Sequence, residues 1–155
     1  MKEIPLTQGK VALVDDADYE WLMQFNWYAT QPWSVWYAAR KPRSGIVYMH
    51  RVLCGGIKTD HRDGDGLNNQ RYNLRVATTT QNNGNQGLIQ RNHSGFKGVS
   101  WDKQKNKWYA CIVKHNKTVN LGRFSDPRDA ATAYDSAAID YFGEFAKTNT
   151  MMGLL

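Results

Sequence analysis

The stretch from Met49 to Asn85, MHRVLCGGIKTDHRDGDGLNNQRYNLRVATTTQNNGN, constrains the fold more than any other part of this chain. Asp60 and His61 are adjacent, and on a regular strand adjacent side chains point to opposite faces. If both serve one site, the strand has to end irregularly there. The turn Asp63-Gly64-Asp65-Gly66 that follows supplies such an end. Amides then crowd the sequence at Asn68, Asn69, Asn73, Asn82, Asn83 and Asn85, more than turn chemistry alone requires.

A metal-assisted phosphodiester site fits this composition. A hard cation such as Mg²⁺ keeps several waters and needs only one or two oxygen ligands from the protein. Asp60 and an Asn from the tail can supply them, and neutral His61 can take a proton from water near neutral pH. The metal would neutralise the phosphate and stabilise the leaving oxygen. A solvated Asp/Gly/Asn loop is the competing reading. An EF-hand loop is excluded, because the twelfth position counted from Asp63 is Leu74, where a bidentate Glu is needed.

The string D60-H61-x-D63-G64-x5-Q70-R71-x-N73-L74-R75-x6-N82 resembles the HNH nuclease motif of phage homing endonucleases. The resemblance implies a ββα unit around one divalent ion, Mg or Mn, with Asp60 and Asn82 as ligands. It implies His61 as general base and Asn73 at the middle position, holding the histidine and its loop. Asn83 and Asn85 read as loop residues. His50-Arg51 precedes the motif as in that family; His50 reads as structural, and Arg51 and Arg75 as phosphate contacts.

A net charge of +6 favours an anionic partner. The 155 residues allow one ordinary domain or two small ones. Cys54 and Cys111 form no CxxC pair, so neither zinc nor a disulfide framework is expected. No apolar run approaches membrane-spanning length and no signal-peptide core is present, so a cytoplasmic protein with no membrane partner is expected.

The first fifty residues read as a small α+β region. Strands are expected at Lys10–Val14, Trp27–Ala29, Trp36–Ala39 and Ile46–Met49, with a helix after Asp15-Asp16 that buries Tyr19, Leu22 and Met23. Trp21, Trp27, Trp33 and Trp36 read as core, with base stacking beside Arg40, Lys41 and Arg43 as the other use. Residues 83–94 are rich in turn formers, and a linker is placed at 86–93 between domains at 1–85 and 94–150.

Beyond Ser94, strands are expected at Phe96–Trp101, Lys107–Lys114 and Lys117–Phe124. A helix follows, capped by Asp126, with Pro127 in its first turn, Asp129 favouring the dipole and Gly143 at its end. Ala130, Ala133, Tyr134, Ala137 and Tyr141 form the expected inner face. The strings SGFKGVSW at 94–101, KWYA at 107–110, LGRF at 121–124, AAxAYDxAA at 130–138 and FGxFAxxN at 142–149 resemble the plant Apetala-two/ethylene-response-factor DNA-binding domain. The resemblance implies a three-stranded antiparallel sheet on one helix, with the open face of the sheet in the major groove. Lys97, Trp101 and Arg123 match or lie near its contact positions. Ser100, Val113 and Asn120 replace residues that are commonly Arg or Trp there. The lysines Lys103, Lys105, Lys107, Lys114 and Lys117 read as backbone contacts, salt-sensitive and poor in sequence information.

The segments together resemble freestanding HNH endonucleases of phages and prophages. An α+β chain that nicks double-stranded DNA is therefore expected: a monomer carries one site, and a double-strand break would take two subunits. A DNA-binding regulator with an inactive HNH scaffold is the alternative, and an RNA or single-strand binder a further one.

Overall fold

The computed structural model describes residues 1–32, 34–88 and 91–155. Trp33, expected in the core, and Ile89 and Gln90 of the expected linker lie outside the described residues. The chain divides into two compact units, Met1–Thr78 and Thr79–Leu155.

In the first unit, β1 (Lys2–Pro5) and β2 (Val11–Val14) form an antiparallel hairpin, with Lys2 opposite Val14. The sequence pattern did not announce β1, because only Ile4 of its four residues is buried. Helix α1 (Asp16–Leu22) follows and buries Leu22, while Met23, expected inside, is exposed at the helix end. Strands β3 (Tyr28–Thr30), β4 (Tyr37–Arg40) and β5 (Val47–Tyr48) form an antiparallel sheet in that order. The expected strand at Ile46–Met49 is shorter, because Met49 opens α2 (Met49–Leu53) and is fully buried there. The core gathers Ile4, Val14, Leu22, Trp27, Met49 and Leu74. Trp27 donates its indole N–H to the Leu22 carbonyl at 2.8 Å, which satisfies the one polar atom this ring buries. A second hairpin pairs β6 (Thr59–His61) with β7 (Leu74–Val76), setting Asp60 opposite Arg75 and His61 opposite Leu74.

In the second unit, α3 (Thr79–Gly84) packs Gly84 beneath the Phe142 ring, where a Cβ would collide with that ring. Strands β8 (Val99–Asp102), β9 (Lys107–Lys114) and β10 (Lys117–Phe124) form an antiparallel sheet with β9 central. β8 starts later than expected because Gly98 has φ +76°, a conformation that ends the extended run. Helix α4 (Pro127–Phe142) covers one face. Asp126 caps it, accepting the Arg128 N–H at 2.7 Å.

The buried face of α4 is Ala130, Ala131, Tyr134, Asp135, Ala138 and Phe142, rotated from the expected one. Ala133, Ala137 and Tyr141 are only half-buried. The rotation turns Asp135 inward, where one carboxylate oxygen accepts both the backbone and side-chain N–H of Asn149, at 2.7 and 2.8 Å. Thr150 bonds the other oxygen through its N–H and hydroxyl, both at 2.9 Å. Four donors on one buried carboxylate outweigh the burial of another alanine.

Candidate functional site

The loop between β6 and β7 is seated on the N-terminal hairpin and on α1. Leu13 donates its N–H to the Leu67 carbonyl at 2.9 Å, and its own carbonyl accepts the Asn69 N–H at 2.8 Å. Arg71 grips Asp18 with both arms of its guanidinium, Nε to Oδ2 and Nη2 to Oδ1, each at 2.7 Å. Asp15 accepts the Arg71 N–H at 2.8 Å. Burial of Asp18 beside this planar fork is compensated by two charge-assisted bonds, and Arg71 holds the carboxyl below the usual carboxylate range.

Within the loop, Asn73 is the clamp. Its side chain is 1% exposed. Nδ2 donates to Asp63 Oδ1 at 2.9 Å and to the Asn68 carbonyl at 2.8 Å, while Oδ1 accepts the Asp63 N–H at 3.1 Å. Asp63 in turn accepts from Asn68 Nδ2 at 2.8 Å and from the Asp65 N–H at 2.8 Å. The Asp/Gly turn is therefore a hydrogen-bonded structure whose side chains replace a regular ladder.

His61, at the end of β6, is buried among rings. His50 meets it edge-on, with centroids 4.9 Å apart, and Tyr37 lies 6.0 Å away. Tyr48 stacks on His50 at 5.6 Å. The His61 Nε2 faces Asn69 Oδ1 at 3.5 Å, the long limit of a hydrogen bond. Burial pushes the His61 imidazole below the ordinary histidine range, offset in part by Asn69 and by the carboxylates of Asp63, Asp60 and Asp65. His50 is pushed down to about 3, by burial first and then by the His61 and Arg51 charges. Both rings are neutral at pH 7, the form in which an imidazole can accept a proton.

The resemblance to the HNH motif implies that Asn73 holds both the loop and the histidine. The structure divides these tasks: Asn73 holds Asp63 and Asn68, and Asn69, which sequence reasoning passed over, reaches the imidazole. The one signal for Asn69 was its excess over turn requirements. His50 and Tyr37 came from outside the motif, and only the packing of β4 and α2 brings them to His61.

Asp60 is paired with Arg75 directly across the hairpin, Nε and Nη2 converging on Oδ2 at 2.9 and 2.8 Å. Both residues are below 10% exposed. Arg75 is thus engaged within the protein, and its expected phosphate contact gives way to this pair: a guanidinium turned away from solvent on a buried carboxylate does not reach a backbone phosphate. The pair takes one of the two carboxylate oxygens of Asp60. Asn82 lies half-buried on α3, in the second unit. An Asp oxygen and an Asn amide oxygen are hard donors suited to Mg²⁺ or Mn²⁺. Among the described residues no group of three or more His, Cys, Asp or Glu gathers to hold a metal ion. Arg51 is exposed, its guanidinium 5.4 Å from the Tyr48 ring.

In the second unit the register sorts the candidate DNA contacts by face. Val99, Ala110 and Ile112 turn toward α4 and are buried. Trp101 and Trp108 share that parity as cross-strand partners, their rings edge-to-face at 5.0 Å, with Trp101 45% exposed beyond the helix. Lys114 also lies on the helix side, its ammonium 4.2 Å from the Tyr141 ring. The open face carries Ser100, Lys107, Tyr109, Cys111, Val113 and Arg123. Arg123 bonds Asp102 at 2.7 Å and lies over Tyr109 at 5.2 Å while staying exposed. Lys103 and Lys105 are exposed in the β8–β9 turn beside Lys107, and Lys117 is exposed at the start of β10.

Lys97 points the other way. Its ammonium donates to the Gly84 and Lys147 carbonyls at 2.7 and 3.0 Å, and burial pushes it down to about 8. An ammonium spent on two internal carbonyls is not presented to a phosphate. Its place in the Apetala-two-like string reflects structure.

The two units thus define a two-part protein: a pinned Asp-His loop in one and a three-stranded sheet on a helix in the other. Residues 94–144, within the second, match the AP2 domain family. The chain belongs to the same family as Protein 3.8 of Escherichia phage T7, to which it is 30% identical over 113 residues, 73% of this chain and 84% of that protein. It is also 36% identical over 114 residues to the "Uncharacterized HNH endonuclease L560" of Acanthamoeba polyphaga mimivirus, covering 68% of this chain and 58% of that one. Over 61 residues it is 44% identical to the AP2-like ethylene-responsive transcription factor CRL5 of Oryza sativa subsp. japonica, 38% of this chain and 10% of the plant protein. Among the described residues no helix is long and apolar enough to cross a membrane.

Proposed function

We propose that the chain is an HNH-type DNA endonuclease that nicks duplex DNA with one divalent ion, Mg²⁺ or Mn²⁺. The observation that carries the reading is His61: a buried, neutral imidazole next to Asp60, on a loop that Asn73 and Arg71 pin from both sides. The similarity to a viral protein named as an HNH endonuclease supports it. Asp60 would offer the ion a carboxylate oxygen, and the ion when bound would neutralise the phosphate and stabilise the leaving oxygen. His61 accepts the proton of the attacking water. Arg75 keeps the Asp60 carboxylate in place, and Asn73 keeps the loop. Arg51, exposed near the histidine cluster, contacts the phosphate backbone.

The AP2 domain supplies most of the affinity. Lys103, Lys107 and Arg123, with Trp101 at the sheet edge, form its interface, helped by Lys105 and Lys117. Only Arg123 is a guanidinium on the open face, and Asp102 already holds it, so backbone contacts outweigh base readout and binding weakens steeply with salt.

Supercoiled-plasmid cleavage tests the reading, comparing wild type, His61→Ala and wild type with EDTA. Metal-dependent open circles are expected from wild type, with a loss of roughly two to four orders of magnitude without the base. If wild type and His61→Ala are equally inert on DNA that the protein binds, the chain is a DNA-binding protein with an HNH-like scaffold.

A further inference from the structure

The middle of the open face of the β8–β10 sheet carries no charge. Across β9 and β10 the register sets Val113 opposite Thr118 and Cys111 opposite Asn120. These side chains point away from α4, because Ala110 and Ile112, which alternate with them on β9, are the ones buried. Val113 is 51% exposed, Thr118 and Asn120 are exposed, and Cys111 is half-buried. Burial pushes the Cys111 thiol up, so it packs there as a small neutral side chain. Lysines stand at both ends of this strip, with Lys103, Lys105 and Lys107 at one and Lys117 at the other. An uncharged strip between basic ends complements a nucleic-acid groove, whose phosphates form the rims and whose base edges form the floor.

One polar group in the strip has a fixed orientation. The register shifts between Asn120 and Gly122, and the Asn120 side chain spans that irregularity, its Oδ1 accepting the Gly122 N–H at 2.9 Å. A backbone N–H can only donate, so the oxygen is the atom turned toward the strand and Nδ2 is the donor presented outward. Asn120 therefore does not offer oxygen and amide side by side, as the bidentate pair with adenine requires. It offers a donor, with the methyl groups of Val113 and Thr118 one row further along the same face.

We propose that this strip reads thymine in the major groove of duplex DNA: Asn120 Nδ2 donates to O4, and the methyls of Val113 and Thr118 pack on the C5 methyl. The proposal rests on the reading of the second unit as the duplex-binding part. Only the major groove displays that methyl, and at about 12 Å wide it admits a two-stranded ribbon such as β9–β10. Each competing base fails on one group. Guanine offers acceptors to Nδ2 and no methyl to the apolar neighbours. Cytosine sets its amino donor against Nδ2, and methylation at C5 leaves that conflict in place. Uracil keeps O4 and lacks the methyl.

The test is competition binding of the full-length protein, by fluorescence anisotropy in EDTA at fixed salt. The probes are alternating dA-dT, dA-dU and dG-(5-methyl-dC) duplexes, which share one phosphate backbone charge. Wild type should bind the dA-dT duplex about fourfold more tightly than the dA-dU duplex for each methyl it buries. It should also prefer dA-dT to dG-(5-methyl-dC), and Asn120→Ala should narrow that second gap. The double variant Val113→Ser/Thr118→Ser, changed only at exposed positions, should bind the dA-dT and dA-dU duplexes alike. Equal binding of these two by wild type overturns the proposal, and so does a preference that survives in the double variant. Wild-type binding of dG-(5-methyl-dC) as tight as that of dA-dT overturns it as well. Failure of the duplex-binding reading is recognised separately, by Lys103→Glu/Lys107→Glu leaving the affinity for all three duplexes unchanged.

Discussion

Replacing Asn73 with Ala removes three hydrogen bonds at once, to Asp63 Oδ1, to the Asp63 N–H and to the Asn68 carbonyl. A neutral buried bond contributes about 1 kcal/mol and one to a charged group about 1.5–3 kcal/mol, which sums to about 4 kcal/mol before solvent is considered. Asp63 is itself exposed, so water takes over part of what its carboxylate loses, whereas the Asn68 carbonyl has less access. A net cost of about 2–3 kcal/mol remains. For a unit of this size, 1 kcal/mol moves the midpoint by about 4–8 °C, so a fall of at least about 8 °C is expected. Urea unfolding gives the free energy, and hydrogen exchange at the Asp63 amide locates it, since Asn73 Oδ1 is that amide's acceptor. Asn73→Asp sharpens the test by setting a second carboxylate against Asp63 Oδ1, and it should cost more than Ala at neutral pH and less at pH 3. A loss under about 0.5 kcal/mol with an unchanged Asp63 amide would refute the clamp.

The second unit carries two further expectations. Burial lowers Lys97 to about 8, so between that value and about 10.4 the unfolded chain binds a proton that the folded one has released. Stability should therefore rise with pH across that window, by up to about 3 kcal/mol, and Lys97→Met should flatten the slope in urea titrations at pH 7.5, 9 and 10; equal slopes would contradict the burial. Gly98→Ala places a Cβ into the Tyr134 ring at a backbone conformation with φ +76°. The expected cost is above about 3 kcal/mol, seen as loss of the second unit's far-UV circular dichroism at 37 °C; a variant as stable as wild type would contradict the packing.

The elements with strong local grammar were legible. Strand β9 is bracketed by Lys107 and Lys114, and its expected bounds coincide with the observed ones. Helix α4 carries a cap, a proline and a terminal glycine, and it starts and stops where those residues say. What failed was rotation and direction. Of the expected inner face of α4, Ala133, Ala137 and Tyr141 are only half-buried, because an aspartate bonded to Asn149 and Thr150 sets the angle. Likewise Lys97, Lys114 and Arg75 read as surface cations, and each turned out to have an internal partner: two carbonyls, an aromatic ring and a carboxylate. A sequence records that a residue is charged and leaves unsaid which way its stem runs, because long side chains reach partners that only tertiary packing supplies.

The same limit explains the amides around His61. Asn68, Asn69 and Asn73 are chemically alike and sit within six residues of one another. Their separate tasks come from what lies behind each one. Asn73 faces the turn and so binds Asp63; Asn68 reaches Asp63 from the other side; Asn69 is backed by β2 and is left facing the imidazole. β2 lies more than fifty residues upstream, outside any local motif. Its bonds through Leu13 decide which amide addresses the histidine, so the N-terminal hairpin belongs to the site as fully as the residues of the motif. Changes in the β2–loop pairing should accordingly reach His61 through Asn69 before they reach it through the Asp/Gly turn.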